Sequence, residues 1–264
     1  MNIHSGRIAK PYRVLIYGVE GVGKSTFASC SLKPIFIPTE DGTDEIDAPK
    51  FDRCATEQDF NNCMTYLCRE NHDFQTVVID SIDWLEKLWM DSILENGKKS
   101  VSNYPYGEFY ILLENKARTL IKGLDFLRNH KNMNIVLIGH SRLEKVVDPS
   151  GLGYDQYSPR LEKKTNATFK EWTDLIGFAN YDVQKREITE GFRKRVVAEA
   201  GKTFYQPEEE TNSMECKNRV LICTGSPTIV AKSRYSSNDK LRFEEKIPLD
   251  GKFFFTQLHQ IIWS

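Results

Sequence analysis

The chain has 264 residues, 40% of them apolar and 28% charged, a balance that fits one large α/β domain with a sizeable core. Its net charge of −1 excludes a global positive field, so contact with nucleic acid or an anionic membrane would have to rest on a local group of cations. No stretch approaches the ~20 apolar residues of a membrane span, residues 1–10 lack the apolar core of a secretory leader, and the six cysteines match no zinc spacing. These features predict a cytoplasmic protein with free thiols and no membrane partner.

In chain order, residues 12–17 (YRVLIY) form an apolar run that ends at Gly18 and reads as a strand entering a glycine loop, and Lys24 begins a helix. Residues 34–38 (PIFIP) read as a second strand leading to Glu40, and 57–70 as a helix with Phe60, Met64, Leu67 and Cys68 on one face. Residues 76–79 (TVVI) form a third strand closed by Asp80, followed by helices over 82–94 and 106–129. A fourth strand, 134–138, ends at Gly139 and His140. Strands alternating with helices predict a mainly parallel sheet covered on both faces.

Residues 141–165 are polar, with Pro149, Gly151, Gly153 and Pro159 and no apolar period, and are expected to form a mobile loop. Beyond them a helix is predicted over 169–178, antiparallel strands over 181–197, 219–223 and 229–233, and a closing helix over 253–263. The expected organisation is one domain over 1–264 with an N-terminal arm at 1–10.

The strongest local signal is Gly18-Val19-Glu20-Gly21-Val22-Gly23-Lys24-Ser25, with Thr26 beyond it, which satisfies G-x-x-x-x-G-K-[ST] between a strand and a helix. Such a loop wraps ATP phosphates in backbone N–H groups, while Lys24 meets the β/γ-phosphates and Ser25 offers a hydroxyl to Mg²⁺. Val77-Val78-Ile79-Asp80 fits the strand whose terminal carboxylate holds Mg²⁺ through water. Ser81 and Ile82 follow where many ATPases place a glutamate, so the base comes from elsewhere. Glu40 is one candidate, because the carboxyl ends of parallel strands converge on one ligand edge; Asp83 is the other. A solvated loop acid is the alternative reading of Glu40.

Together these motifs resemble the RecA-like ATPases, whose base sits at the end of a strand in a small-residue–Glu pair and whose metal-holding Asp is commonly followed by Ser, as in Asp80-Ser81. The resemblance implies that His140 (in VLIGHSR) is a γ-phosphate sensor where recombinases usually carry Gln, a departure that is closer to the shorter RecA-like proteins of bacteriophages related to single-strand annealing ATPases. It further implies a host-cytoplasm setting, and a single-strand-binding protein as a further partner. Lys232-Ser233-Arg234 resembles the Lys-x-Arg strand motif of the hexameric helicase branch, which implies a homo-oligomer, ring or filament, whose cations touch a neighbour's γ-phosphate; a basic strand face in water is the alternative.

The 141–165 segment interleaves Arg142, Lys145, Arg160, Lys163 and Lys164 with Tyr154 and Tyr157, a pattern suited to single-stranded DNA because cations meet phosphates and rings stack on bases. Glu144, Asp148, Asp155 and Glu162 dilute that charge, and Arg193-Lys194-Arg195 forms a second cationic cluster. The function expected is an ATPase acting on single-stranded DNA in annealing or exchange. A phosphotransferase and a nucleotide-gated binding module without turnover are the rivals; a GTPase is a poor one, because no Asn-Lys-x-Asp is present.

Overall fold

Short β-branched runs bounded by glycine, proline or aspartate set the frame of the computed structural model, which describes all residues except 1–4, 7, 98–99, 148–150, 152, 186–194, 198–202, 206–213, 236–244 and 264. The chain divides into two compact units, Met1–Asn180 with Val220–Ser264, and Tyr181–Arg219.

In the first unit the elements are β1 (Arg13–Gly18), α1 (Lys24–Ser29), β2 (Pro34–Pro38), α2 (Glu57–Arg69), β3 (Thr76–Asp80), α3 (Ile82–Asn96), α4 (Glu108–His130), β4 (Asn134–Val147), β5 (Gly153–Pro159) and α5 (Lys163–Trp172). They continue with the start of β6 (Leu175–Lys185), and after the second unit with the end of β9 (Met214–Ile222), β10 (Lys232–Ser233), β11 (Lys246–Pro248) and α6 (Gly251–Trp263). The second unit contains the antiparallel pair β7 (Arg195–Val197) and β8 (Thr203–Tyr205). Of the second cationic cluster, Arg193, Lys194 and the side chain of Arg195 lie outside the described residues.

The sheet order is β11-β9-β6-β1-β4-β3-β2. β2, β3, β4, β1 and β6 run parallel, and the C-terminal strands β10 and β11 add antiparallel edges, as expected from the sequence. Each central strand is buried on both faces, so alternate residues feed two cores. Leu15, Tyr17, Ile37, Ile79 and Leu137 face α2, α3 and α4. Val14, Ile16, Val78, Val136 and Ile138 face α1 and α6, whose Phe27, Phe254, Leu258 and Ile261 fill the other layer. Each such buried side chain contributes about 1.5–3 kcal/mol. Thr56 and Asp59 form a reciprocal capping box that fixes the start of α2.

The structure corrects several boundaries. Most of the expected loop over 141–165 is instead a pair of strands, residues 148–150 and 152 lying outside the described ones and 163–165 opening α5: β4 runs unbroken past His140 to Val147 and pairs antiparallel with β5, Ser141 opposite Pro159 and Val147 opposite Gly153. Leu143, Val146, Val147, Tyr154 and Tyr157 supply the β-formers, but charged cross-strand neighbours break the apolar alternation that would have announced them. The helix expected over 169–178 starts earlier and ends at Trp172, because the run Leu175-Ile176-Gly177-Phe178-Ala179 is a buried parallel strand. A short apolar run reads alike for strand and buried helix. Among the described residues no helix is long and apolar enough to cross a membrane.

Candidate functional site

Two glycines shape the loop after β1. Gly18 packs so tightly on β6 that a Cβ there would lie 2.0 Å from the Ala179 carbonyl oxygen. Gly23 caps α1 at φ 95°, a left-handed conformation that side chains resist. Val22 is fully buried and pins the loop to the core, while Glu20, Gly21 and Thr26 are exposed. The buried Lys24 turns back into the loop, its Nζ donating to the carbonyl oxygens of Val19 (2.9 Å) and Gly18 (3.3 Å). Burial lowers its pKa, opposed by Asp80, Glu40, Asp83 and Glu20. Since α1 spans only six residues, the loop amides and this ammonium group supply most of the attraction for an anion.

Ser25 and Asp80, expected to share a metal, are brought together: Ser25 Oγ donates to Asp80 Oδ2 at 2.6 Å. Asp80 is 3% exposed; burial pushes its carboxyl up, against the hydrogen bond from Ser25 and the charge of Lys24. One hydroxyl and one carboxylate fit Mg²⁺, which takes few protein oxygens and completes its shell with phosphate and water. Ser25 and Asp80 would hold the ion, which when bound would neutralise phosphate charge.

The strand register assembles the rest. Pro38 is level with Asp80, Asp80 with Ile138, and Gly18 with His140. Because β4 lies between β1 and β3, its His140 emerges between the phosphate loop and Asp80. Thr39 clamps the end of β2 to that of β3: its N–H donates to Asp80 O (2.7 Å), its hydroxyl donates to Ser81 O (2.7 Å), and it accepts from Ser81 N–H (2.9 Å). Glu40 follows directly, with its Oε1 3.9 Å from His140 Nε2. Burial raises the Glu40 carboxyl, and the His140 charge opposes that shift. A partly desolvated carboxylate at the phosphate edge suits a water-orienting base.

Asp83 occupies the centre of this cluster rather than offering a free base. Its carboxylate, 2% exposed, accepts from His140 N–H (3.1 Å), from His140 Nδ1 (3.1 Å), and from Arg160 Nε (3.0 Å) and Nη2 (2.6 Å). Burial acts to raise its pKa, but the bonds and charge of His140 and the bonds from Arg160 hold it well below the usual carboxylate range. Nδ1 faces the Asp83 carboxylate and donates to it, and Nε2 is turned toward Glu40. One turn on, Glu86 accepts from Glu162 N–H (3.0 Å), and burial pushes its carboxyl up to about 7.

Of the five cations expected on a free loop, the two arginines are engaged and the three lysines are exposed. Arg160 is bound to Asp83, and Arg142 pairs with Glu144. Lys145 is exposed but stands directly opposite Asp155. Tyr157 stacks on Phe178 (4.9 Å) and its carbonyl accepts from Tyr17 Oη and Val230 N, so it is a packing residue; Tyr154 is half-buried on β5. Lys163 and Lys164 are exposed in the first turn of α5.

Lys232 and Arg234 lie toward the opposite end of the sheet. Lys232 is level with Ile176, and so with Leu15, about 10 Å down the strand from Gly18. Its Nζ donates to Lys170 O, while Arg234 donates to Glu171 O (2.6 Å) and pairs with Asp174 (3.4 Å). Burial and Arg234 push the Lys232 pKa down to about 8. In this arrangement they satisfy the carbonyls that end α5, a position from which neither meets its own chain's phosphate loop.

Sequence reasoning missed the roles of Thr39, Asp83, Glu86 and Arg160. A signal was present for two of them: Asp83 and Glu86 interrupt the apolar stripe Ile82, Leu85, Trp89, Ile93 of α3, and acids on a core-facing stripe need buried partners.

No curated protein matches the chain. Among solved structures, the RadB recombinase is similar at 14% identity and a TM-score of 0.41, the match covering 73% of this chain and 90% of that one. Residues 10–235 match the family described as AAA domain (AAA_24), a span that includes the phosphate loop, Glu40, Asp80, His140 and Arg234. The protein is thus a member of that AAA domain family, built on an α/β phosphate-loop nucleotide-binding core.

Proposed function

We propose that the protein binds and hydrolyses Mg²⁺-ATP in RecA-like fashion and acts on single-stranded DNA as a homo-oligomer. The observation that supports this best is the convergence at one sheet edge of Lys24, the Ser25–Asp80 pair, Glu40 and His140. In this reading Lys24 and the loop amides grip the phosphates, Glu40 orients the attacking water, and His140 reports the γ-phosphate to the β4–β5 pair that continues from its own strand. Lys232 and Arg234 would leave their intrachain acceptors to reach a neighbour's phosphate. Single-stranded DNA would meet the β4–β5 pair and the exposed Lys145, Lys163 and Lys164, a reduced cationic set compared with the sequence expectation. A phage-type annealing or exchange role, with a single-strand-binding protein as partner, follows from the family resemblance of the motifs.

The test is the ATPase rate of the purified protein and of Lys24→Ala, with and without single-stranded DNA at several salt concentrations. The expected result is turnover that depends on Lys24 and rises with DNA, the rise fading as salt weakens phosphate contacts. Turnover in Lys24→Ala equal to the parent would refute the nucleotide assignment, and a rate indifferent to DNA would remove the DNA role.

A further inference from the structure

We propose that Arg160 is a γ-phosphate ligand supplied from within the same chain, a role that rests on reading the phosphate loop as the ATP site. Arg160 follows β5 directly, and its backbone N–H donates to His140 O (2.9 Å), which fixes it at the phosphate end of β4. The next residue, Leu161, is 1% exposed, so the backbone at this point is anchored in the core. Its guanidinium uses one edge, Nε and Nη2, on Asp83, and this fork orients the group. The remaining nitrogen, Nη1, is aimed at the phosphate loop, where it lies 3.7 Å from Glu20 Oε1.

That last contact is weak and replaceable. The Glu20 side chain is 77% exposed, and a solvated pair of this kind contributes little. Four acids, Glu20, Glu40, Asp80 and Asp83, surround Lys24 in this cluster, so a triphosphate entering it meets a local excess of negative charge that Mg²⁺ offsets only in part. A guanidinium held two-thirds buried, oriented by a carboxylate and facing the loop, can exchange Glu20 for a terminal phosphate oxygen without giving up Asp83. Asp83 is then a positioning residue, holding Arg160 and His140 in one geometry. ADP lacks the terminal group and would leave Arg160 on Glu20.

The experiment is calorimetric titration of the full chain with Mg²⁺ and either ATPγS or ADP, using the parent protein, Arg160→Ala and Arg160→Lys. The expected result is a loss of roughly 10- to 100-fold in ATPγS affinity for Arg160→Ala with ADP affinity changed less than about 2-fold, and partial recovery in Arg160→Lys, which restores charge without the fork. Equal weakening of both nucleotides would mean that the residue only supports the fold, and would overturn the proposal. So would unchanged nucleotide binding combined with a loss of single-stranded DNA affinity measured without nucleotide, which would return Arg160 to the DNA. If the alanine variant does not fold, Arg160→Lys alone decides: ATPγS affinity equal to the parent, or weakened in step with ADP, overturns the proposal. A parent protein that binds neither nucleotide would remove the phosphate-loop reading itself, an outcome distinct from the others.

Discussion

Replacing Asp83 by asparagine removes one negative charge from a site that is 3% exposed while keeping its volume. The carboxylate serves three donor groups, the His140 N–H, the His140 Nδ1–H and the Arg160 guanidinium. An amide keeps one acceptor oxygen, but its NH₂ group then faces groups that only donate. Breaking a buried ion pair costs about 3–5 kcal/mol. Arg160 is 37% exposed, so water recovers part of that cost, and about 2–3 kcal/mol remains. The penalty depends on pH with a definite sign. The Asp83 pKa is depressed in the folded state, so its contribution is complete above the unfolded value of about 4 and is lost as pH falls below it toward the folded value. Urea unfolding of parent and Asp83→Asn should therefore show the full gap at pH 7 and pH 5 and a narrower one at pH 3.5. A variant within about 0.5 kcal/mol of the parent at pH 7 would refute the ion-pair reasoning, and a gap that does not narrow in acid would refute the assignment of the charge.

Glu40→Gln should bind ATP normally but turn it over roughly 10²- to 10⁴-fold more slowly, and a rate close to the parent's in a single-turnover assay would remove Glu40 as the base. Gly18→Ala would drive a methyl group to 2.0 Å from the Ala179 carbonyl and should cost about 3 kcal/mol or more; thermal melting within a degree of the parent would contradict the close packing of β1 on β6. Glu86→Gln should gain stability relative to the parent as pH rises. The parent's carboxyl, raised to about 7 by burial, is favourable below its unfolded pKa of about 4.3 and loses that advantage as pH climbs through 7. Melting curves at pH 5 and 8 check this, and a constant difference would contradict it. Arg234→Ala should leave ATP affinity intact but flatten the rise of specific ATPase rate with protein concentration, whereas a parent rate already independent of concentration would argue against a contribution across subunits.

The phosphate loop and the strand ends around it were legible because their chemistry is local. Glycines at fixed spacing, an apolar run before them and a carboxylate closing β3 announce themselves within a few residues. Glu40 and His140 were legible for a related reason, since parallel strands deliver their C-terminal residues to one edge whatever their order. What could not be read depends on pairing across distance. Arg160 reads as a loop cation until β5 folds back on β4 and delivers it to Asp83, 77 residues earlier in the chain. Likewise, the C-terminal carbonyls of α5 that engage Lys232 and Arg234 precede them by some sixty positions, a separation that no spacing rule connects. The boundary error at β6 has another origin, because an apolar strand buried on both faces carries no period to distinguish it from a helix.

β4 has no joint where it leaves the core: the same strand that ends its parallel pairing at His140 continues to Val147. At about 3.3 Å per residue that extension is roughly 23 Å long. It is braced along its length by β5 and is therefore stiff in the direction it points. A rocking of about 5° at the histidine would swing the far end by about 2 Å, a displacement set by lever-arm length alone. The fulcrum sits where phosphate chemistry would occur, so a sub-ångström adjustment there would be magnified mechanically at Val147, with no need for any segment to melt and reform.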